Sequence, residues 1–184
     1  MPITEPPITE PPTTEPVSTA RIFIGIGANL VPEGYDTPRA GCEAAIARLP
    51  ENGIDIVGLS SWFQTAPVPV SDQPWFHNAV IAARTSLSMH ETLLRLHGIE
   101  SEFGRVRSVR NEARVLDMDL LDFGGIHHED ERMSLPHPRM HQRAFVLLPL
   151  RDVAPDYVHP VSGMSIDELI KALPADQTIR RMTV

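Results

Sequence analysis

Two aspartates, Asp117 and Asp119, stand one residue apart in VLDMDLLDF, residues 115–123, where nearly every other side chain is apolar. On a strand the side chains alternate between faces, so both carboxylates point one way with Cα atoms ~6.6 Å apart, while Leu116, Met118 and Leu120 point the other way. Val115, Leu121 and Phe123 would share the acids' face. Carboxylates that interrupt an apolar row need a cation or a donor to offset their desolvation. Mg²⁺ suits such a pair, because it takes one or two carboxylates together with waters and phosphate oxygens. Directly upstream, GRVRSVRNEAR (residues 104–114) carries Arg105, Arg107, Arg110 and Arg114 against a single acid. The planar guanidinium fork matches phosphate bidentately. Anion clamp and metal site side by side are what phosphoryl transfer requires, since it depends on positioning and charge neutralisation.

Other groups are quieter. Glu100 falls on the same helical stripe as Met89, Leu93 and Leu96, so it is either a cap or ion-pair partner or part of a site, with His97 on its flank. Residues 131–145 bring Arg132, Ser134, His137, Arg139, His141 and Arg143 together, a dense cluster that reads as a second half of a phosphate site or as a solvated surface. Around Thr65 and Asn78 a proline-rich loop, aromatic rings and an amide combine. An amide can read a heterocycle's edge and a ring can stack on its face, although an ordinary hairpin core explains the same residues. A phosphate loop is absent, as Lys171 is the sole lysine, and Gly25 with Gly27 makes only a weak dinucleotide signal.

The elements that must position these groups are legible in outline. Residues 21–27 read as a buried strand, and Thr37-Pro38 as the start of a helix ending near Pro50. Residues 54–63 and 76–83 are strand candidates. Ser88 with Glu91 makes a capping box opening a helix to about Phe103, and Ser165 with Glu168 makes another before residues 166–173. Residues 115–123 form a strand and 138–150 a helix. The order β-α-β-β-α-β followed by helices predicts an α+β fold, an antiparallel sheet with helices packed on it. Residues 1–20 repeat a Thr-Glu-Pro unit with almost nothing to bury and are expected to be a disordered tail, leaving 21–184 as a single domain.

Composition narrows the field. The 184 residues are 42% hydrophobic and 22% charged, enough for a packed core. A net charge of −8 argues against a nucleic-acid-coating protein. No apolar run is long enough for a membrane span, and no secretory signal pattern opens the chain, so a cytoplasmic protein is expected. Cys42, standing alone, excludes an internal disulfide and a cysteine-based zinc site. Monomer is the default expectation.

Taken in order, GANL (27–30), SSWFQTAPV (60–68), DQPWFHNAV (72–80), ESEFGRVR (100–107), RVLDMDLLDFG (114–124) and LPHPRMHQRAFVLLPL (135–150) resemble the 6-hydroxymethyl-7,8-dihydropterin pyrophosphokinase family of folate biosynthesis. The resemblance implies a ferredoxin-like sheet with ATP and pterin sites side by side, and transfer of the β,γ-pyrophosphoryl unit of ATP to the pterin's hydroxymethyl oxygen with release of AMP. By that likeness Asp117 and Asp119 bind two Mg²⁺ ions. Arg105 and Arg114 stabilise the transferred group, while Arg107 and Arg110 belong to a closing loop. His137 and Arg143 contact phosphates, with Glu100, His97, Leu120, Arg132 and Ser134 around the nucleoside. Thr65, Val68 and Asn78 read the pterin edge between Phe76 and Phe145. No strong general base is evident; Asp119 or metal coordination would assist deprotonation. One departure stands out: Asn111-Glu112-Ala113-Arg114 replaces the usual Trp-Gly-Pro-Arg and the loop is one residue shorter. That leaves a catalytically weakened pterin or nucleotide binder as the alternative. A nucleotide-sugar transferase using Asp-x-Asp is a third reading.

Overall fold

The computed structural model describes residues 18–67, 72–105 and 113–183. Strands β1 (Ala20–Ala28), β2 (Ile54–Leu59), β3 (Phe63–Thr65), β4 (Phe76–Thr85), β5 (Asp117–Phe123) and β8 (Ile179–Arg181) make one sheet in the order β5-β1-β4-β3-β8, with β2 also on β4. All its pairings are antiparallel. Helices α1 (Pro38–Ala47) and α2 (Met89–Glu102) cover one face; α3 (Ala144–Val153) and α4 (Ile166–Lys171) cover part of the other. A short hairpin, β6 (His128–Glu129) with β7 (Ser134–Leu135), follows β5. Counting β2 and β3 as two halves of one strand, the core is β-α-β-β-α-β with the ferredoxin-like order.

Alternation builds the two cores. Ile22, Ile24 and Ile26 of β1 meet Ala45, Ile46, Leu96 and Ile99 on the α1–α2 side. Phe23, Val80, Ala82 and Leu121 meet Leu147, Leu150 and Leu169 on the α3–α4 side. Both expected capping boxes are present, Ser88 with Glu91 and Ser165 with Glu168. On the second side Asp122, 2% exposed, accepts hydrogen bonds from Tyr157 Oη at 2.9 Å and from the Gly125 amide at 2.8 Å. Those donors satisfy a carboxylate that would otherwise be costly to bury.

Several boundaries differ from the sequence expectation. The tail cannot reach residue 20, because Ala20 already pairs with Thr85; residues 1–17 lie outside the described residues. The expected strand 54–63 is cut in two where Ser60 turns its hydroxyl onto the Val80 amide (2.9 Å) in place of a ladder partner. The expected helix 138–150 begins only at Ala144, since Arg143 is extended (φ −117°, ψ 111°) after a 3-10 turn at Met140–Gln142. The last helix ends at Lys171 rather than Leu173. Strand β8 and the β6–β7 hairpin were not expected.

The bulge in β5 matters most. Ile24 pairs with Leu120 but Phe23 pairs with Asp122, so Leu121 is an extra residue. Asp117, Asp119 and Leu121 share a face as expected, whereas Phe123 is thrown onto the α1–α2 side.

Candidate active site

β5 is an edge strand, and its outer edge is covered by side-chain and loop partners. The Met118 amide donates to Glu100 Oε1 at 2.7 Å, and the bulged Leu121 carbonyl accepts the His137 amide at 2.7 Å. Glu100, 1% exposed, therefore works inside the fold, and it also pairs with Arg105. Arg105 is returned to it by the end of α2. Gly104 takes φ +82°, the Gly104 amide donates to Ser101 O (3.1 Å), and the Arg105 amide donates to Glu100 O (3.1 Å). This is a Schellman closure, which needs a left-handed residue.

Asp117 is the meeting point of two arginines. Arg105 Nη1 lies 2.6 Å from its Oδ1, and Arg114 Nη1 bonds its Oδ2. Buried Oδ1 nevertheless has no aligned hydrogen bond among the described residues. Arg114 is held by its backbone: its amide donates to Asn29 Oδ1 (2.7 Å), and its carbonyl accepts the Asn29 and Leu30 amides (3.0 Å each). Asn29, 2% exposed, also donates to Gln73 Oε1 and Pro74 O, both at 3.2 Å. The GANL turn thus ties the loop before Phe76 to the arginine beside the acids.

Asp119 has its carboxyl pushed up to about 6 by desolvation and then by the neighbouring charge of Asp117, against the opposing pull of Arg143 and Arg114. Arg143 Nη1 is 3.8 Å from Asp119 Oδ2. A divalent cation fits this pair: it would relieve the like-charge contact and engage the unaligned Asp117 oxygen.

Asp119 also lines a cavity of about 260 Å³ together with His97, Leu120, Arg132, Ser134 and His137. Leu93, Met133, Leu135 and Pro138 complete its wall; they carried no chemical signal in the sequence. His137 is pushed down to about 4 by burial, then by Arg143 and Arg139, so it is neutral at pH 7. Its Nδ1 accepts the Arg139 amide at 3.2 Å, which leaves the proton on Nε2 as a donor.

The second half of the face is set by register. Asn78 pairs with Gly27, and Gly27 pairs with Asp117. Directly paired residues point the same way, so amide and acid flank a glycine, two strand spacings (~10 Å) apart. Asn78 Nδ2 donates to Thr65 Oγ1 at 2.8 Å, and both residues are buried. Thr65 and Phe145 line one small pocket with Ala66, Ala144 and residues Gln177, Thr178 and Ile179, the C-terminal part having been missed from sequence. Phe76 is the Cα partner of Thr65, on the neighbouring strand β4. Val68, Arg107 and Arg110, with the altered Asn111-Glu112 stretch, lie outside the described residues.

A Cβ at Gly27 would sit 2.6 Å from Asn78 Oδ1. Gly27→Ala is expected to push the amide off Thr65 and, if the pterin implied by the sequence resemblance is read here, to weaken its binding about tenfold or more, since a buried polar group loses its geometry. Calorimetric titration with the pterin checks this, and an unchanged affinity would refute it.

Fold and site together define a ferredoxin-like α+β protein whose sheet offers an acid-and-arginine cluster beside a buried amide. A profile of the 7,8-dihydro-6-hydroxymethylpterin-pyrophosphokinase (HPPK) family matches residues 23–155. The chain belongs to that family. It is 38% identical over 153 residues to the 2-amino-4-hydroxy-6-hydroxymethyldihydropteridine pyrophosphokinase of Methylorubrum extorquens, covering 83% of this chain and 93% of that one. Its identity to the protein of the same description from Pseudomonas aeruginosa is 40% over 157 residues, covering 84% and 92%. The crystal structure of a Plasmodium falciparum HPPK-DHPS variant with pterin and p-hydroxybenzoate superposes with a TM-score of 0.63 at 15% identity. It covers 86% of this chain and 44% of that longer one, a likeness of fold. Among the described residues no helix is long and apolar enough to cross a membrane.

Proposed function

We propose that the chain transfers the β,γ-pyrophosphoryl group of ATP to the hydroxymethyl oxygen of 6-hydroxymethyl-7,8-dihydropterin, releasing AMP. The cross-strand row Asn78–Gly27–Asp117 carries this reading, because it sets a heterocycle-reading amide and a phosphate-handling acid on one rigid floor. Asn78, Thr65 and Val68 hold the pterin edge, with Phe76 and Phe145 for its ring. His97, Leu120, Arg132 and Ser134 enclose the nucleoside, with Glu100 at the back of Arg105. Asp117 and Asp119 would hold two Mg²⁺ ions, which supply charge neutralisation on the phosphates and polarise the β-phosphorus.

The chain's own groups do the rest. Arg105 and Arg114 converge where charge builds on the transferred unit, and Arg143 with the His137 Nε2 proton adds donors across the cavity. Holding both substrates on one sheet face turns a bimolecular encounter into an oriented one. Arg107 and Arg110 would contact ATP. The protein is read as a cytoplasmic monomer.

Incubation with ATP, Mg²⁺ and the hydroxymethyl dihydropterin is expected to yield AMP and the pterin diphosphate, read by chromatography. Absence of AMP at high enzyme concentration, with both ligands still bound in calorimetry, would assign the chain as a binder.

A further inference from the structure

Outside that cavity, three side chains from two elements converge on one point. His90 lies in the first turn of α2, His128 on β6 and Asp130 just beyond it. Both imidazoles address the same carboxylate oxygen: His90 Nε2 is 2.7 Å and His128 Nε2 2.9 Å from Asp130 Oδ2. The three ligand atoms all lie within 4.8 Å of one another, and the rings meet edge to face with centroids 5.7 Å apart.

The carboxylate is anchored from behind. Asp130 Oδ1 accepts the Arg132 amide at 2.7 Å and the Met133 amide at 2.9 Å, while the Asp130 amide donates to Met133 O at 2.9 Å. With Oδ1 held by those two amides, Oδ2 is aimed at the two imidazoles. His90 is placed from the other side by the Ser88–Glu91 capping box. Outer partners that orient a ligand set in this way are a feature of built metal sites.

We propose that His90, His128 and Asp130 bind one divalent transition-metal ion of the zinc class, separate from the Asp117–Asp119 pair. Two imidazoles and one carboxylate select a borderline metal over Mg²⁺, which prefers oxygen ligands throughout. With metal–ligand bonds of about 2.0–2.2 Å, tetrahedral ligands stand roughly 3.3 Å apart, so the two contacts need open by only about half an ångström. Each imidazole moves its proton from Nε2 to Nδ1 as Nε2 takes the ion, with no net proton released from a neutral ring. The side chains are 29–36% exposed, which leaves the fourth position to water. The ion would tie α2 to the segment that carries Arg132 and Ser134 into the cavity wall.

Titration of the untagged full-length chain with ZnCl₂, in millimolar MgCl₂ to saturate hard oxygen sites, tests this. One saturating equivalent is expected. His90→Ala, His128→Ala and Asp130→Asn should each weaken it about tenfold or more. The double histidine variant should abolish it, and His141→Ala should leave it intact. Co²⁺ in place of Zn²⁺ should give the visible absorption of a tetrahedral site, lost in the double variant. Circular dichroism without metal checks that each variant is folded, and the single variants decide the matter if the double one is not. No saturable binding by the wild type, or equal binding by wild type and folded His90 and His128 variants, overturns the proposal.

Discussion

Asp119→Ala is expected to lower kcat for AMP formation by about 10³-fold or more, while Tm at pH 8 stays level or rises slightly. The two effects have one cause. Desolvation and the charge of Asp117 push the Asp119 carboxyl up to about 6, so the fold disfavours its charged form, an effect softened by solvent because the side chain is 41% exposed. A carboxyl raised from 3.8 in this way subtracts stability as pH climbs through the interval between 3.8 and about 6, and the deficit is complete above it. Removing the side chain removes the deficit. The gain in Tm should therefore shrink toward zero as pH falls to 4, which a series of melts measures directly. Mg²⁺ should raise the wild-type Tm by mass action and raise the variant's much less. Affinity for Mg²⁺ should likewise weaken as pH drops below about 6, since the proton competes for the same oxygens. A variant that keeps more than a tenth of wild-type kcat would remove Asp119 from the reaction.

Glu100→Ala is expected to be the most destabilising single change near the site, at about 3–5 kcal/mol. That corresponds to a fall in Tm on the order of 10 °C for a chain of this size. The carboxylate is 1% exposed and serves the Met118 amide at the sheet edge and the Arg105 guanidinium at once. Truncation leaves a buried donor unpaired and Arg105 with only Asp117 as an ion-pair partner among the described residues. Glu100→Gln keeps an acceptor for Met118, so it should recover most of the stability. It should nevertheless retain a kcat defect, because Arg105 is then drawn wholly onto Asp117. Thermal melts and steady-state kinetics on the two variants separate these roles. An alanine variant melting within about 2 °C of wild type would show that Glu100 carries no such load.

What could be read without the fold was whatever is fixed over a few residues. The period of two placed Asp117 and Asp119 on one face, and each capping box needs only a serine and a glutamate three residues on. The α+β order followed from the same local signals, and the spacing of several motifs led to the family. Longer-range relations were not legible. The bulge at Leu121 exists only against β1, so the face of Phe123 was misjudged. Glu100 showed as a carboxylate on an apolar stripe, but its partners come from β5 and the turn beyond α2. The Asn78–Gly27–Asp117 row joins three strands whose register is a tertiary property, and a glycine there announces nothing until a Cβ is seen to strike Asn78. His90 and Asp130 lie 40 residues apart and meet only because the hairpin after β5 folds back on α2. Thus the chain alone determined which groups are available and how their own strand or helix orients them. The tertiary structure decided which of them share a point in space, because hydrogen-bond register and helix docking, unlike backbone period, are settled between segments.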